Sequence, residues 1–297
     1  MELCIGTAQL GMDYGIAGGK APEVSDAIRL LDYAVQEGIR SFDTAEVYGR
    51  SEAVLGEFLS KKTIARNNLK IISKIAPNVL DNIKPDQWYA VINKHLEQTL
   101  NTLNTDYLDA YLFHNASYSM RPELLEALNS ITKNGKVYKT GVSIYETEEA
   151  LACIGCPYVT FIQMPFSVLD ERMKTSEVID KCNSITTYSR SAFLQGLIFM
   201  NESEIPSYLL GLRSAVRDFY ELCHEWSLRP EELAVGYVRK QTNIDGLVFG
   251  IDNPRQISDI VKAMATQIPN DLEKIVEEKF GTLPKELVVP SYWNKKG

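Results

Sequence analysis

A single closed (β/α)8 barrel of the TIM type is the architecture this sequence predicts, and three observations predict it. Short apolar runs alternate with segments of helical period along the whole chain, which demands a parallel sheet with helices outside it. Eight such runs match a closed eightfold barrel better than an open doubly wound sheet. No Pro/Ser/Gly-rich linker divides the 297 residues, so 1–297 reads as one domain.

The strand-like runs are 3–6, 40–42, 70–74, 110–113, 137–142, 161–164, 184–188 and 246–249. Helical period covers 25–37, 51–59, 86–103, 121–132, 147–152, 170–181, 208–225 and 254–265. Local signals mark some helix ends. Ser25 and Ser51 are candidate N-caps, each followed by an acidic residue that favours the positive helix end, and Gly38 is a stop after "AVQE". The stretch "SLRPEELAVGYVRKQ" adds a helix with Pro230 pre-set for its first turn, and 271–280 reads as a last helix.

Composition narrows the function classes. A net charge of -8 with no Lys/Arg-rich run argues against nucleic acid as a partner. No apolar stretch is long enough to cross a bilayer, and Met1 leads straight into "ELCIG" without a secretory signal, so no membrane partner is expected. Five scattered cysteines suggest reduced thiols and a cytoplasmic location. Cys153 and Cys156 form a C-x-x-C, but no second half completes a metal set, so they read as ordinary thiols. "GIAGGKA" reads as a turn: the first glycine of a phosphate loop would fall on Tyr14, and Ala21 replaces the required hydroxyl.

In such a barrel, function collects where the strands end. The residues there are Asp43, Lys74 and His114, with Tyr48 on the loop after Asp43. A phenol of ordinary pKa about 10 is a weak acid at neutral pH, and an adjacent ammonium lowers that value. Lys74 is expected to supply this charge to Tyr48, Asp43 to hold the ammonium charged, and His114 to hydrogen-bond a carbonyl oxygen. The set suits protonation of an oxygen that becomes an alkoxide. A buried Asp43–Lys74 pair beside ordinary pocket residues remains the structural alternative, and Lys74 as a Schiff-base nucleophile a chemical one.

"FDTAEVYG", with Lys74 in "IISKI" and His114 in "YLFHN", resembles the aldo-keto reductase family, and "GVS", "FIQMPFS", "YSRSAFLQGL" and "GLVFGIDNPRQI" continue the likeness in order. The resemblance implies NAD(P)H-dependent reduction of a small carbonyl substrate, with Tyr48 as general acid, Lys74 and Asp43 tuning it, and His114 placing the carbonyl. It also implies that Ser143 and Gln163 hold the nicotinamide carboxamide and that Tyr188 stacks on the ring. Residues 189–196, with Ser189 and Gln195 among them, would cover the pyrophosphate. Residues 250–256, with Gly250, Asn253 and Gln256, would hold the adenosine end, and Gly6 and Thr7 would line the floor of the dinucleotide bed. A non-catalytic NAD(P)-binding subunit is the alternative on the same barrel.

Several positions depart from the family pattern. Ile144 stands where an Asn commonly follows the Ser, which leaves the carboxamide more dependent on Gln163. Gly250 and Gln256 occupy positions where NADPH-preferring relatives place Lys and Arg, leaving Arg255 for a 2'-phosphate. The expected cofactor is NADP, with NAD the alternative. Tyr14, Tyr118, Tyr145, Phe166, Tyr292 and Trp293 are candidate rim groups for sugar-like or aromatic carbonyls, with pinning of the tail the other reading for Tyr292 and Trp293.

Overall fold

The computed structural model describes residues 1–16 and 18–293; Ala17 and 294–297, parts of the expected turn and of the expected domain, lie outside the described residues. Eight parallel strands close on themselves in chain order: β1 Glu2–Gly6, β2 Ser41–Asp43, β3 Lys70–Ile75, β4 Leu108–Phe113, β5 Val137–Ser143, β6 Phe161–Pro165, β7 Thr186–Arg190 and β8 Gly246–Phe249. Strand β1 pairs with β2 on one side and β8 on the other, so no edge is left for another chain to extend.

Successive side chains of a strand point to opposite faces, so the inward set can be read by parity. Cys4, Ile72, Ala110, Leu112, Phe161, Tyr188 and Val248 form a compact cluster inside the barrel. Continuing each strand by two residues from that cluster reaches Gly6, Lys74, His114, Gln163, Arg190 and Gly250. One periodicity therefore plugs the lower barrel with apolar groups and delivers polar groups to the carboxyl-terminal mouth. The outward residues, such as Ile5, Phe42, Ile71, Tyr111 and Ile162, pack against the helical ring in a larger core.

The helices follow the expected alternation with local corrections. Ser25 and Ser51 are not N-caps: Glu23 and Arg50 precede helices Val24–Gln36 and Ser51–Ser60. The Ser51 hydroxyl instead donates to the Thr7 carbonyl and meets the Thr44 and Thr7 hydroxyls, tying this helix start to β1 and β2. The segment 170–181 is two short helices, Arg172–Thr175 and Val178–Lys181, broken by Glu177 at φ 59°. Run 208–225 opens as 3-10 turns and is α-helical over Arg213–Glu225. Helix Pro230–Lys240 carries its proline in the first turn, and Asn270–Phe280 closes the ring.

Strand β7 ends two residues later than its apolar run suggests. Ser189 and Arg190 are polar, yet both pair with β6, Ser189 with Met164 and Arg190 with Pro165. That shift changes which β7 side chain faces the mouth.

Candidate active site

A cleft of about 790 Å³ opens at the carboxyl-terminal mouth. Its wall includes Gly6, Asp43, Tyr48, His114, Ser143, Gln163, Gln195, Gly250, Asn253 and Gln256. These expected residues come from many separate strand ends, and barrel closure brings them together.

Asp43 lines the cleft and is backed by Lys74. Lys74 Nζ donates to both Asp43 carboxylate oxygens at 2.7 Å and to the Thr44 carbonyl at 2.9 Å. All three ammonium hydrogens are thereby used. Lys74 is only 1% exposed, behind Asp43 and outside the cleft wall. Asp43 Oδ1 also accepts from Gln163 Nε2 at 2.5 Å.

Tyr48 stands above this pair on the loop after β2. Its backbone N–H donates to the Ala45 carbonyl, and its carbonyl receives the Ser51 N–H, both at 3.0 Å. Gly11 passes so close that a Cβ there would lie 2.2 Å from the Tyr48 carbonyl oxygen, so the close approach of the two loops requires glycine. The Tyr48 ring meets the His114 ring edge-on, centroids 5.5 Å apart at 89°. The Lys74 ammonium lies 5.2 Å from the Tyr48 ring centre.

The electrostatics differ from the expectation. Burial raises the Tyr48 value above that of an ordinary tyrosine and the Asp43 charge raises it further, outweighing the lowering by the cations around it. The Lys74 ammonium hydrogens go to Asp43 and Thr44, so its charge acts on the phenol only across the 5.2 Å to the ring centre. Tyr48 is thus held as the neutral, proton-bearing phenol. Burial, with the Lys74 and Arg190 charges, pushes His114 down to about 3, so its ring is neutral near pH 7.

Three expected cofactor contacts sit elsewhere. Tyr188 is 2% exposed, and its ring packs on Phe161 at 4.7 Å in the lower barrel, in space left by the missing side chain of Gly246. Ser189 is buried, its hydroxyl donating to the Phe166 carbonyl. Thr7 is buried, its hydroxyl donating to the Asp43 carbonyl. Among the rim candidates, Tyr14 and Tyr145 line the cleft. Tyr118 and Phe166 are buried outside it, Tyr118 donating to Asp81. Tyr292 donates to Glu146, and Trp293 is buried with Nε1 donating to the Leu287 carbonyl, so both pin the tail rather than line the mouth.

Sequence reasoning passed over Arg190, the inward residue at the end of β7. It lines the cleft where the stacking ring was expected, with its guanidinium 4.1 Å above the Tyr145 ring. The signal was present in the period of two, since residues 188 and 190 share a face.

A nicotinamide dinucleotide fits the polar groups of the cleft. The Gln163 Oε1 is buried without a partner, an acceptor suited to a carboxamide N–H, and Ser143 stands beside it in the same wall. A Cβ at Gly196 would meet nothing within 4 Å, and one at Gly250 only Gln9 at 3.8 Å, so this wall leaves room for a ligand's backbone. Among the described residues no group of three or more His, Cys, Asp or Glu is arranged to hold a metal ion.

Known proteins with similar sequences and folds extend the likeness. An uncharacterized oxidoreductase, YrpG, of Bacillus subtilis (strain 168) is 24% identical over 94% of this chain and 92% of its own. The glyoxal reductase of the same organism is 29% identical over 64% of this chain and 66% of its own. The NADH-specific methylglyoxal reductase of Escherichia coli (strain K12) is 22% identical, covering 76% and 79%. Among solved structures, the holo form of an aldo-keto reductase from Bacillus halodurans superposes with a TM-score of 0.74 at 20% identity, covering 94% of this chain and 92% of that one. The profile of the Aldo/keto reductase family matches residues 2–279, nearly the whole barrel, and on that match the chain belongs to the aldo-keto reductase family of oxidoreductases.

Proposed function

We propose that the protein reduces a small aldehyde or ketone to an alcohol with NADPH or NADH, and that Tyr48 supplies the proton. The observation that carries this reading is the neutral Tyr48 phenol set edge-on to a neutral His114 in the cleft wall, above the buried Asp43–Lys74 pair. A nicotinamide bound here supplies a hydride to the carbonyl carbon. Gln163 Oε1 and the Ser143 hydroxyl hold the carboxamide, and Gly250, Asn253 and Gln256 face the adenosine end.

The remaining steps belong to the chain's own groups. His114 Nδ1 is buried without a partner, and this reading places the proton on Nε2, whose N–H orients the carbonyl oxygen. As charge develops on this oxygen, the Tyr48 hydroxyl donates its proton to it. The phenolate left behind is stabilised by the Lys74 charge 5.2 Å from its ring until solvent returns the proton. Asp43 holds that ammonium in place through both carboxylate oxygens. Lys74 as a Schiff-base nucleophile has no support, since its amine is 1% exposed and fully hydrogen-bonded.

The sequence likeness to a glyoxal reductase and a methylglyoxal reductase makes short dicarbonyls the first substrates to try. Free thiols and the absence of a membrane-length apolar helix among the described residues accord with a cytoplasmic setting. The test is the fall in reduced-nicotinamide absorbance with glyoxal, methylglyoxal and a panel of aldehydes. Turnover is expected; cofactor binding without turnover on any carbonyl would instead support a sensing subunit.

A further inference from the structure

Arg190 is a cation without an anion. It stands in the cleft wall with Tyr48, His114 and Tyr145, yet no carboxylate among the described residues lies within ion-pair distance of it. Its contacts are neutral: Nη2 donates to the Ile144 carbonyl at 2.5 Å, Nη1 reaches the Ser191 hydroxyl at 3.4 Å, and Nε is buried with no partner. Two other half-buried guanidiniums behave differently, Arg66 pairing with Asp109 at 2.9 Å and Arg172 with Asp170 at 2.8 Å. A partly desolvated charge left unpaired is costly and is characteristic of a group that meets its counter-ion in a ligand.

The local charge balance points the same way. Asp43 and Lys74 cancel each other, His114 is neutral, and the nearby buried Asp170 is taken up by Arg172 at 2.8 Å, so Arg190 is left without a carboxylate of its own. The stack on the Tyr145 ring and the bond to the Ile144 carbonyl hold the guanidinium in place before any ligand arrives. A nicotinamide that has given up its hydride is itself a cation, so an anionic substrate group beside the guanidinium offsets the repulsion between the two.

We infer that Arg190 is a specificity-determining residue and that the favoured substrates carry a carboxylate or comparable anionic group next to the reactive carbonyl, as 2-oxo acids do. The inference rests on the proposed reductase reading and names its substrate class. Reduction remains balanced: hydride to the carbonyl carbon, proton from Tyr48 to its oxygen, and the carboxylate unchanged.

Glyoxylate and glyoxal test it, because they share two carbons and differ in a carboxylate against a second aldehyde. Steady-state kinetics on wild type, Arg190→Lys and Arg190→Met should be accompanied by binding of oxalate to the enzyme with reduced cofactor, followed by nicotinamide fluorescence. Wild type is expected to favour glyoxylate. Arg190→Met should lose about 100-fold in kcat/KM for glyoxylate, chiefly through KM, and far less for glyoxal, with Arg190→Lys between. Oxalate binding should be lost in Arg190→Met. Good turnover of glyoxal with no preference for glyoxylate overturns the inference and leaves the reductase reading intact. Loss of cofactor affinity in Arg190→Met with an unchanged substrate ratio also overturns it, assigning the guanidinium to the cofactor phosphates. Arginine-dependent oxalate binding without turnover of any carbonyl upholds the anion site and removes the reductase reading.

Discussion

The two ends of the barrel both carry depressions, about 790 Å³ at the carboxyl-terminal mouth and about 580 Å³ at the amino-terminal floor, yet they treat their polar groups in opposite ways. At the floor the groups satisfy one another. Lys70 bridges to both Glu2 oxygens, Lys139 donates to Thr186, Asp109 receives Arg66 and the Ile71 N–H, and Asp245 receives the Thr187 N–H. At the mouth His114 Nδ1, Gln163 Oε1 and Arg190 Nε are buried without partners. Gln163 and Arg190 both line the cleft, where a ligand can complete them. The Asp43–Lys74 pair belongs to the mouth but is complete in itself, which marks it as a foundation for its neighbours.

The largest effect expected from this contrast is on stability. Lys74→Met leaves a buried Asp43 carboxylate unpaired and should cost about 3–5 kcal/mol. Lys70→Met breaks the half-exposed pair at the floor and should cost at most about 1 kcal/mol. Urea unfolding of both variants measures the difference, and similar losses would erase the distinction between the two ends.

Next in size is a positioning effect. Gly11→Ala places a methyl 2.2 Å from the Tyr48 carbonyl oxygen and must displace that loop. Turnover should fall by about 100-fold while cofactor affinity, measured by fluorescence titration, changes little.

A smaller effect is the pH dependence. The unfolded chain binds a proton at His114 near its ordinary value of 6.5, and the folded chain only near 3. The stability associated with the neutral ring is therefore full above 6.5 and is lost progressively as the pH falls toward 3. Unfolding midpoints between pH 8 and 4 should decline in wild type and decline less in His114→Phe. kcat/KM should show no inflection near 6.5 from this residue. Smallest of all, Tyr188→Leu at the floor should leave cofactor affinity unchanged, whereas removal of a ring that stacked on the cofactor would weaken it.

Much of the fold was legible because a buried parallel strand is a short apolar run, and all eight runs became strands. Much of the mouth was legible too, since Asp43 and His114 follow such runs and Gln163 lies near the end of one. Arg190 was missed because β7 ends in Ser189-Arg190, and polarity hid two paired residues; counting inward positions from Tyr188 recovers it. The full hydrogen bonding of Lys74 was not legible, because one of its three acceptors is the backbone carbonyl of Thr44, which no side-chain pattern announces. Tyr118, Phe166 and Trp293 were read as rim groups because a sequence does not distinguish an aromatic ring at a mouth from one packed just behind it.

The claim on which the account rests is that the Tyr48 hydroxyl carries the proton delivered to the substrate oxygen. Cofactor titration and single-turnover oxidation of reduced nicotinamide by glyoxal, in wild type and Tyr48→Phe, test it directly. The account predicts equal cofactor affinity and a rate lower by at least about 100-fold in the variant. Equal single-turnover rates in the two proteins would contradict it.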